Sequence, residues 1–87
     1  MIEVHRMDNT TYEVVVDEET NTTHEVTLHR NYYLELTNGA VAEEVLISKS
    51  FEFLLQREPN SMILRKFNLS IIERFFPEYR REVSKML

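Results

Sequence analysis

The chain has no cysteine, no tryptophan, one glycine and two prolines among its 87 residues. Without cysteine it can form neither a disulfide nor a thiolate metal site, so its stability has to come from packing. One glycine is too few for a glycine-rich phosphate-binding loop. No run of about eighteen apolar residues occurs, and the N-terminal stretch Met1–Arg6 is charged from its third residue. These features predict a cytoplasmic protein without a membrane segment.

The length predicts a single domain over residues 1–87, built from a strand part (1–29) and a helical part (30–87). In the first part, apolar residues alternate with polar ones, as in a sheet with one solvated face. The sequence Asn9–Val14 is echoed twelve residues later by Asn21–Val26, which fits one strand plus one turn. We therefore expect a three-stranded antiparallel meander.

The densest apolar stretch follows, over Val45–Pro59. A short helix over Asn31–Thr37 should end at Asn38-Gly39, and a long central helix should run from Ala42 until Pro59 stops it near Arg57 or Glu58. On a helical period, one arc of this central helix should face the core: Leu46, Ile47, Ser50, Phe51, Phe53 and Leu54.

Shorter helical segments are expected after Pro59, over Met62–Phe67, Leu69–Phe76 and Glu78–Lys85. Strands followed by helices are typical of an α+β domain. The sequence thus predicts a three-stranded meander, a short helix, one long central helix and two or three short C-terminal helices packed on one face of the sheet. The central helix should also contact Ile63, Leu64, Ile72 and Phe75.

Charge is distributed unevenly along the chain. Residues 1–45 carry a net charge of -8 and residues 46–87 a net charge of +3, within a total of -5. Attraction between an acidic strand half and a basic helical half explains this asymmetry more simply than a dedicated binding surface does.

Few residues of the chain are of the types that carry out acid-base catalysis or bind metals. The three histidines, His5, His24 and His29, are expected to be solvated, and the five-residue spacing of the last two directs them to opposite faces of a strand. A pair formed by His5 and His29 on neighbouring strands stays open. We predict no enzymatic activity, no cofactor and no metal. A small-molecule or catalytic site built on the histidines and Tyr12 ranks last among the functions considered.

A nucleic-acid-associated regulator is the first alternative. The segments Ile63–Phe67 and Ile71–Phe76 can be drawn as a helix-turn-helix with basic residues. A recognition helix presents polar side chains to a DNA groove, whereas the second segment is mostly apolar and the whole chain is acidic. Nucleic acid is therefore not the favoured partner.

The favoured function is that of a small protein-binding or adaptor module. Its partner would be an unidentified protein or a second copy of the chain. Tyrosine and arginine carry much of the binding energy at protein interfaces. The candidate interaction surface consists of Tyr33, Arg57, Glu58, Arg65, Arg74, Tyr79, Arg80 and Arg81.

The stretch Ser50–Asn60, with Ile63-Leu64, Phe67-Asn68-Leu69, Ile72 and Phe76–Tyr79 after it, resembles a family of small conserved prokaryotic proteins of unknown function. The resemblance covers nearly the whole chain and is most specific at Arg57-Glu58-Pro59. It implies no activity, cofactor or catalytic residue. The chain departs from the family pattern at Arg30-Asn31 and at Asn68, both of which concern helix caps.

Overall fold

The computed structural model describes all 87 residues and has the α+β architecture that the sequence predicts. Two single 3-10 turns, Asn60–Met62 and Leu69–Ile71, lie among its regular elements. The strands and helices are β1 (Ile2–Arg6), β2 (Thr11–Asp17), β3 (Asn21–Thr27), α1 (Arg30–Thr37), α2 (Glu43–Leu55), β4 (Lys66–Asn68), α3 (Ile72–Phe75) and α4 (Tyr79–Met86).

The first three strands form the predicted antiparallel meander, in the order β1-β2-β3. Val4 lies opposite Val14, and Val14 lies opposite His24. Because side chains alternate between the two faces of a strand, this register places all three on the same face, against the helices. The inner face of the sheet therefore includes a histidine.

A fourth strand completes the sheet. β4 runs parallel to β3, with Phe67 opposite Val26, and it follows an extended segment in place of the helix expected over Met62–Phe67. A helix there would leave Phe67 without its place in the core and the outer edge of β3 unpaired. Long-range pairing with β3 outweighs the local helical preference of this segment.

Helix α2 is the central element that the sequence predicts. Ala42 is extended, and Glu43 and Glu44 occupy the first turn, where negative charge is favourable at the positive end of the helix dipole. The helix ends at Leu55, ahead of Pro59. Its buried residues are those of the predicted arc: Leu46, Ile47, Ser50, Phe51, Phe53 and Leu54.

Helix α1 ends where the sequence places its end. Asn38 and Gly39 both have positive φ, 54° and 76°, and the Asn38 amide donates to the Leu34 carbonyl oxygen. A left-handed pair of this kind reverses the chain toward α2.

Helix α4 packs against α1, α2 and α3 and completes the core there. Tyr79 is fully buried, stands edge-on to Phe53 at 5.3 Å between ring centroids, and shares a hydrogen bond of 2.6 Å with Ser50. Arg57 lies over the Phe53 ring and pairs with Glu78 at 3.2 Å. None of the helices has the length and apolar composition that crossing a membrane requires.

Candidate functional site

An apolar groove of about 390 Å³ opens between the end of α2, β4 and α3. Its floor is made of buried core side chains from four parts of the chain, Leu54, Ile63, Phe67 and Ile72. The remaining lining residues are Glu58, Met62, Leu64, Ile71, Phe75 and Phe76. We call this set of ten residues the groove; nine of them are apolar. Protein-bound ligands and hot-spot side chains typically occupy concave apolar sites of this kind.

Three exposed apolar side chains, Met62, Leu64 and Phe75, form the rim of the groove, which is unusually apolar for a protein surface. Met62 is 70 % exposed, Phe75 is 65 % exposed and Leu64 is 51 % exposed. The other large apolar side chains with high exposure lie on other parts of the fold: Met1, Met7, Leu34, Val45 and Leu87. Single exposed apolar residues are common, whereas a cluster around a cavity marks an interaction site.

Two rim residues correct the sequence-based expectation that Leu64 and Phe75 pack on α2. In the extended segment, Ile63 turns into the core and Leu64, the next residue, turns outward. Helix α3 has only four residues; Ile72 is buried, while Phe75, at the end of the helix, is 65 % exposed.

The loop of residues 60–65, which carries the rim residues Met62 and Leu64, is fixed to β3 and to the turn before it by side-chain hydrogen bonds. Asn60 donates through Nδ2 to the Thr20 carbonyl oxygen (2.8 Å) and to the Thr22 hydroxyl oxygen (3.0 Å). Nδ1 of His24 lies 2.7 Å from the Leu64 carbonyl oxygen, which can only accept, so Nδ1 is the donor. These bonds hold the backbone at Leu64 while its side chain faces solvent.

His24 corrects the expectation that all three histidines are solvated. It is 1 % exposed, and its Nε2, 2.9 Å from the Thr22 hydroxyl, accepts the proton of that group. Burial, assisted by the cation of Arg65, lowers the pKa of His24 from its ordinary value, although the bond to the Leu64 carbonyl acts in the opposite direction. His24 is thus a neutral structural link between the sheet and the groove.

The cations of the chain are mostly engaged. Of ten lysine and arginine side chains, eight form ion pairs with carboxylates; Arg65 and Arg74 form none. Arg65 follows the rim residue Leu64 in the chain, and Arg74 precedes Phe75. Each of these two free cations is therefore next in sequence to a rim residue of the groove.

Attraction between the two halves of the chain accounts for little of the charge asymmetry. Only two ion pairs join residues 1–45 to residues 46–87, Lys66 with Glu25 and Arg80 with Glu35, both at 3.5 Å. Exposed pairs of this kind stabilise a fold by about 0–1 kcal/mol each.

Glu58 is the one charged residue in the lining of the groove. It has no ion-pair partner, and burial raises the pKa of its carboxyl group. A carboxylate that is partly removed from water without a counter-charge gains from any cation that a partner brings.

The structure divides the predicted interaction surface. Tyr33 is 5 % exposed and donates to the Val41 carbonyl oxygen, and Tyr79 is fully buried, so both belong to the core and leave the candidate surface. Arg57, Arg80 and Arg81 are held in ion pairs with neighbouring glutamates. The members that remain without an ion pair are Glu58, which lines the groove, and Arg65 and Arg74, which are next in sequence to its rim residues.

Sequence reasoning missed the apolar rim itself. The sequence predicts a helix at Met62 and core positions for Leu64 and Phe75, because their hydrophobicity alone indicates burial. The signal that could have found them is local: Leu64 lies between Ile63 and Arg65, and Phe75 stands beside Phe76, so in each place one apolar residue is in excess of what a short element can bury.

The helix-turn-helix drawn for the nucleic-acid alternative is not formed. Ile63–Phe67 is an extended segment leading into a strand, and the 3-10 turn Leu69–Ile71 takes the place of the inter-helix turn. Comparison of the chain with protein-family models, with curated proteins and with solved structures finds no match. The resemblance to a small prokaryotic family therefore stays a prediction.

Proposed function

We propose that this chain is a small cytoplasmic protein-binding or adaptor module and that it binds its partner through the groove. The observation that carries the proposal is the cluster of Met62, Leu64 and Phe75, half or more exposed, around an apolar cavity. Fully burying an exposed large apolar side chain is worth about 1.5–3 kcal/mol, and these three side chains are already partly buried. A bound partner therefore gains a part of that free energy from each of them.

Two further features support the proposal. The backbone of the rim is held by Asn60 and His24, so the site requires little ordering when a partner binds. The free cations Arg65 and Arg74 are next in sequence to its rim residues Leu64 and Phe75, which is compatible with an interface that has an apolar centre and a charged rim.

Selection from a displayed library of random peptides tests the proposal. The immobilised chain should enrich peptides rich in large apolar residues. Their dissociation constants, measured by fluorescence polarisation, should rise at least about tenfold for the Met62→Ser, Leu64→Ser double variant. Met7→Ser is the matched control, because Met7 is 61 % exposed at the end of β1, and it should leave binding unchanged. Failure to enrich any peptide, or equal binding to the double variant, would refute the proposal.

A further inference from the structure

We infer that the occupant of the groove is a second copy of this chain, in a two-fold symmetric contact. The inference rests on the proposed function, because it names the partner of the same site. In a two-fold interface the same patch serves both partners, so the patch has to be complementary to itself in shape and in charge. The groove and its rim meet both conditions.

The shape condition is met because projecting and concave features lie side by side. Phe75 and Met62 stand at the rim with two thirds of their surface exposed, and the cavity of about 390 Å³ lies directly beside them. When two copies face each other across a two-fold axis, each can place its Phe75 in the cavity of the other. Aromatic side chains seated in pockets are the usual anchors of protein interfaces.

The charge condition is met because free groups of both signs lie in the lining of the groove or next in sequence to it. Arg65 and Arg74 have no carboxylate partner, and Glu58 has no cationic partner. In a two-fold contact Glu58 of each copy can pair with an arginine of the other. The carboxylate of Glu58 is already partly desolvated, so this pairing neutralises a charge that the single chain leaves uncompensated.

Strongly charged occupants fit less well. A strongly acidic peptide or a phosphate backbone would be attracted by the two arginines but would meet the carboxylate of Glu58 in the lining of the groove. A strongly basic peptide would be attracted by Glu58 but repelled by the two arginines. A surface with both signs, such as this one, avoids both conflicts.

Sedimentation velocity of the full chain, from about 1 μM to about 1 mM, tests the inference. We expect a monomer–dimer equilibrium in this range. Phe75→Ser should raise the dissociation constant of the dimer at least about tenfold, and the exposed control Met7→Ser should leave it unchanged. A wild-type chain that stays monomeric throughout, or a dimer that persists unchanged in Phe75→Ser, would overturn the inference.

A charge exchange separates this interface from a loss of folding. The Glu58→Arg variant carries only cations around its groove, and the Arg65→Glu, Arg74→Glu double variant carries only anions. Each should be monomeric alone, because like charges meet across the two-fold axis, while an equimolar mixture should recover the dimer mass. Two misfolded variants cannot complement each other. A mixture that stays monomeric would rule out the symmetric pairing.

The outcomes for the two proposals are distinct. A monomeric chain that still enriches apolar peptides retains the protein-binding function but excludes the second copy as occupant. A chain that dimerises through Phe75 supports both. A monomeric chain that enriches no peptide excludes both.

Discussion

Two tyrosines are completely buried, and their hydroxyl groups have opposite environments. The hydroxyl of Tyr79 bonds Ser50, whose own Oγ donates to the Leu46 carbonyl oxygen at 2.7 Å. The hydroxyl of Tyr12 has no hydrogen-bond partner in the protein. A buried hydroxyl with no partner costs free energy, whereas a bonded one contributes about 0.5–1.5 kcal/mol.

Replacing each of these tyrosines by phenylalanine should therefore change stability in opposite directions. We expect Tyr12→Phe to raise the free energy of unfolding by about 1 kcal/mol, because it removes an unbonded group and no contact. Tyr79→Phe should lower it by about 1 kcal/mol. Urea denaturation monitored by circular dichroism measures both. A Tyr12→Phe variant that is less stable than Tyr79→Phe would contradict the assignment.

His24 should give stability a dependence on pH. Its folded-state pKa lies below its ordinary value of 6.5, so the unfolded chain binds a proton more readily than the folded one. The neutral histidine therefore contributes stability that is fully present above about pH 6.5 and is lost as the pH falls through the folded-state pKa. We expect the free energy of unfolding of the wild type to decline in this window.

The control for this prediction is His24→Gln, which is neutral at every pH and should show a weaker decline, even if it starts from lower stability. Glu73, Glu78 and Glu82 do not interfere, because their carboxyl pKa values lie below the ordinary 4.5 and they titrate at lower pH. An unaltered slope in His24→Gln would disprove the role of His24.

Among the elements, α2 carries the largest share of the packing. Leu46 is fully buried, while its neighbour Val45 is 40 % exposed on the same helix. Leu46→Ala should cost about 2–5 kcal/mol, because it removes buried methyl groups and leaves a cavity. Val45→Ala, the matched control, should change stability by less than about 0.5 kcal/mol. Equal denaturation midpoints for the two variants would mean that the orientation of the helix is wrong.

The sequence predicts some of these elements well because local patterns determine them. The alternation in residues 1–29 fixes the meander, and the helical period between Glu43 and Leu55 fixes the buried arc of α2. The same alternation also predicts that the side chain of His24 faces the core, because His24 is separated by an even number of residues from Val26 and Leu28. Because histidine is polar, it is expected to be solvated. In the structure, hydrogen bonds to Leu64 and Thr22 compensate the cost of burying its ring.

Strand β4 and the groove could not be predicted in this way. β4 has three residues, too few for a pattern, and it exists because Lys66–Asn68 pair with residues about forty positions earlier. The groove depends in turn on this pairing, because β4 draws Phe67 inward and leaves α3 a single turn. The pattern of a short segment does not identify strand partners that lie so far away in the sequence.

At the scale of the whole molecule, one core joins all parts of the chain. Eighteen buried apolar residues form a single cluster, with members from β2 and β3 through to Val83 in α4. Neither the strand part nor the helical part has a separate hydrophobic core, so we expect one unfolding transition. Circular dichroism of the helices and tyrosine fluorescence should give the same midpoint in urea. Separate midpoints would show that the strand part and the helical part unfold independently.

The position of Tyr79 and Val83 near the end of the core has a consequence for synthesis. The meander of residues 1–27 leaves the ribosome first, but its inner face stays uncovered until α2 emerges, and the edge of β3 stays unpaired until Lys66–Asn68 follow. A small single domain folds as one cooperative unit, so it becomes stable only when the segments that complete its core are available. A nascent chain halted before Val83 should therefore remain open to proteases, whereas one extended past α4 should resist them.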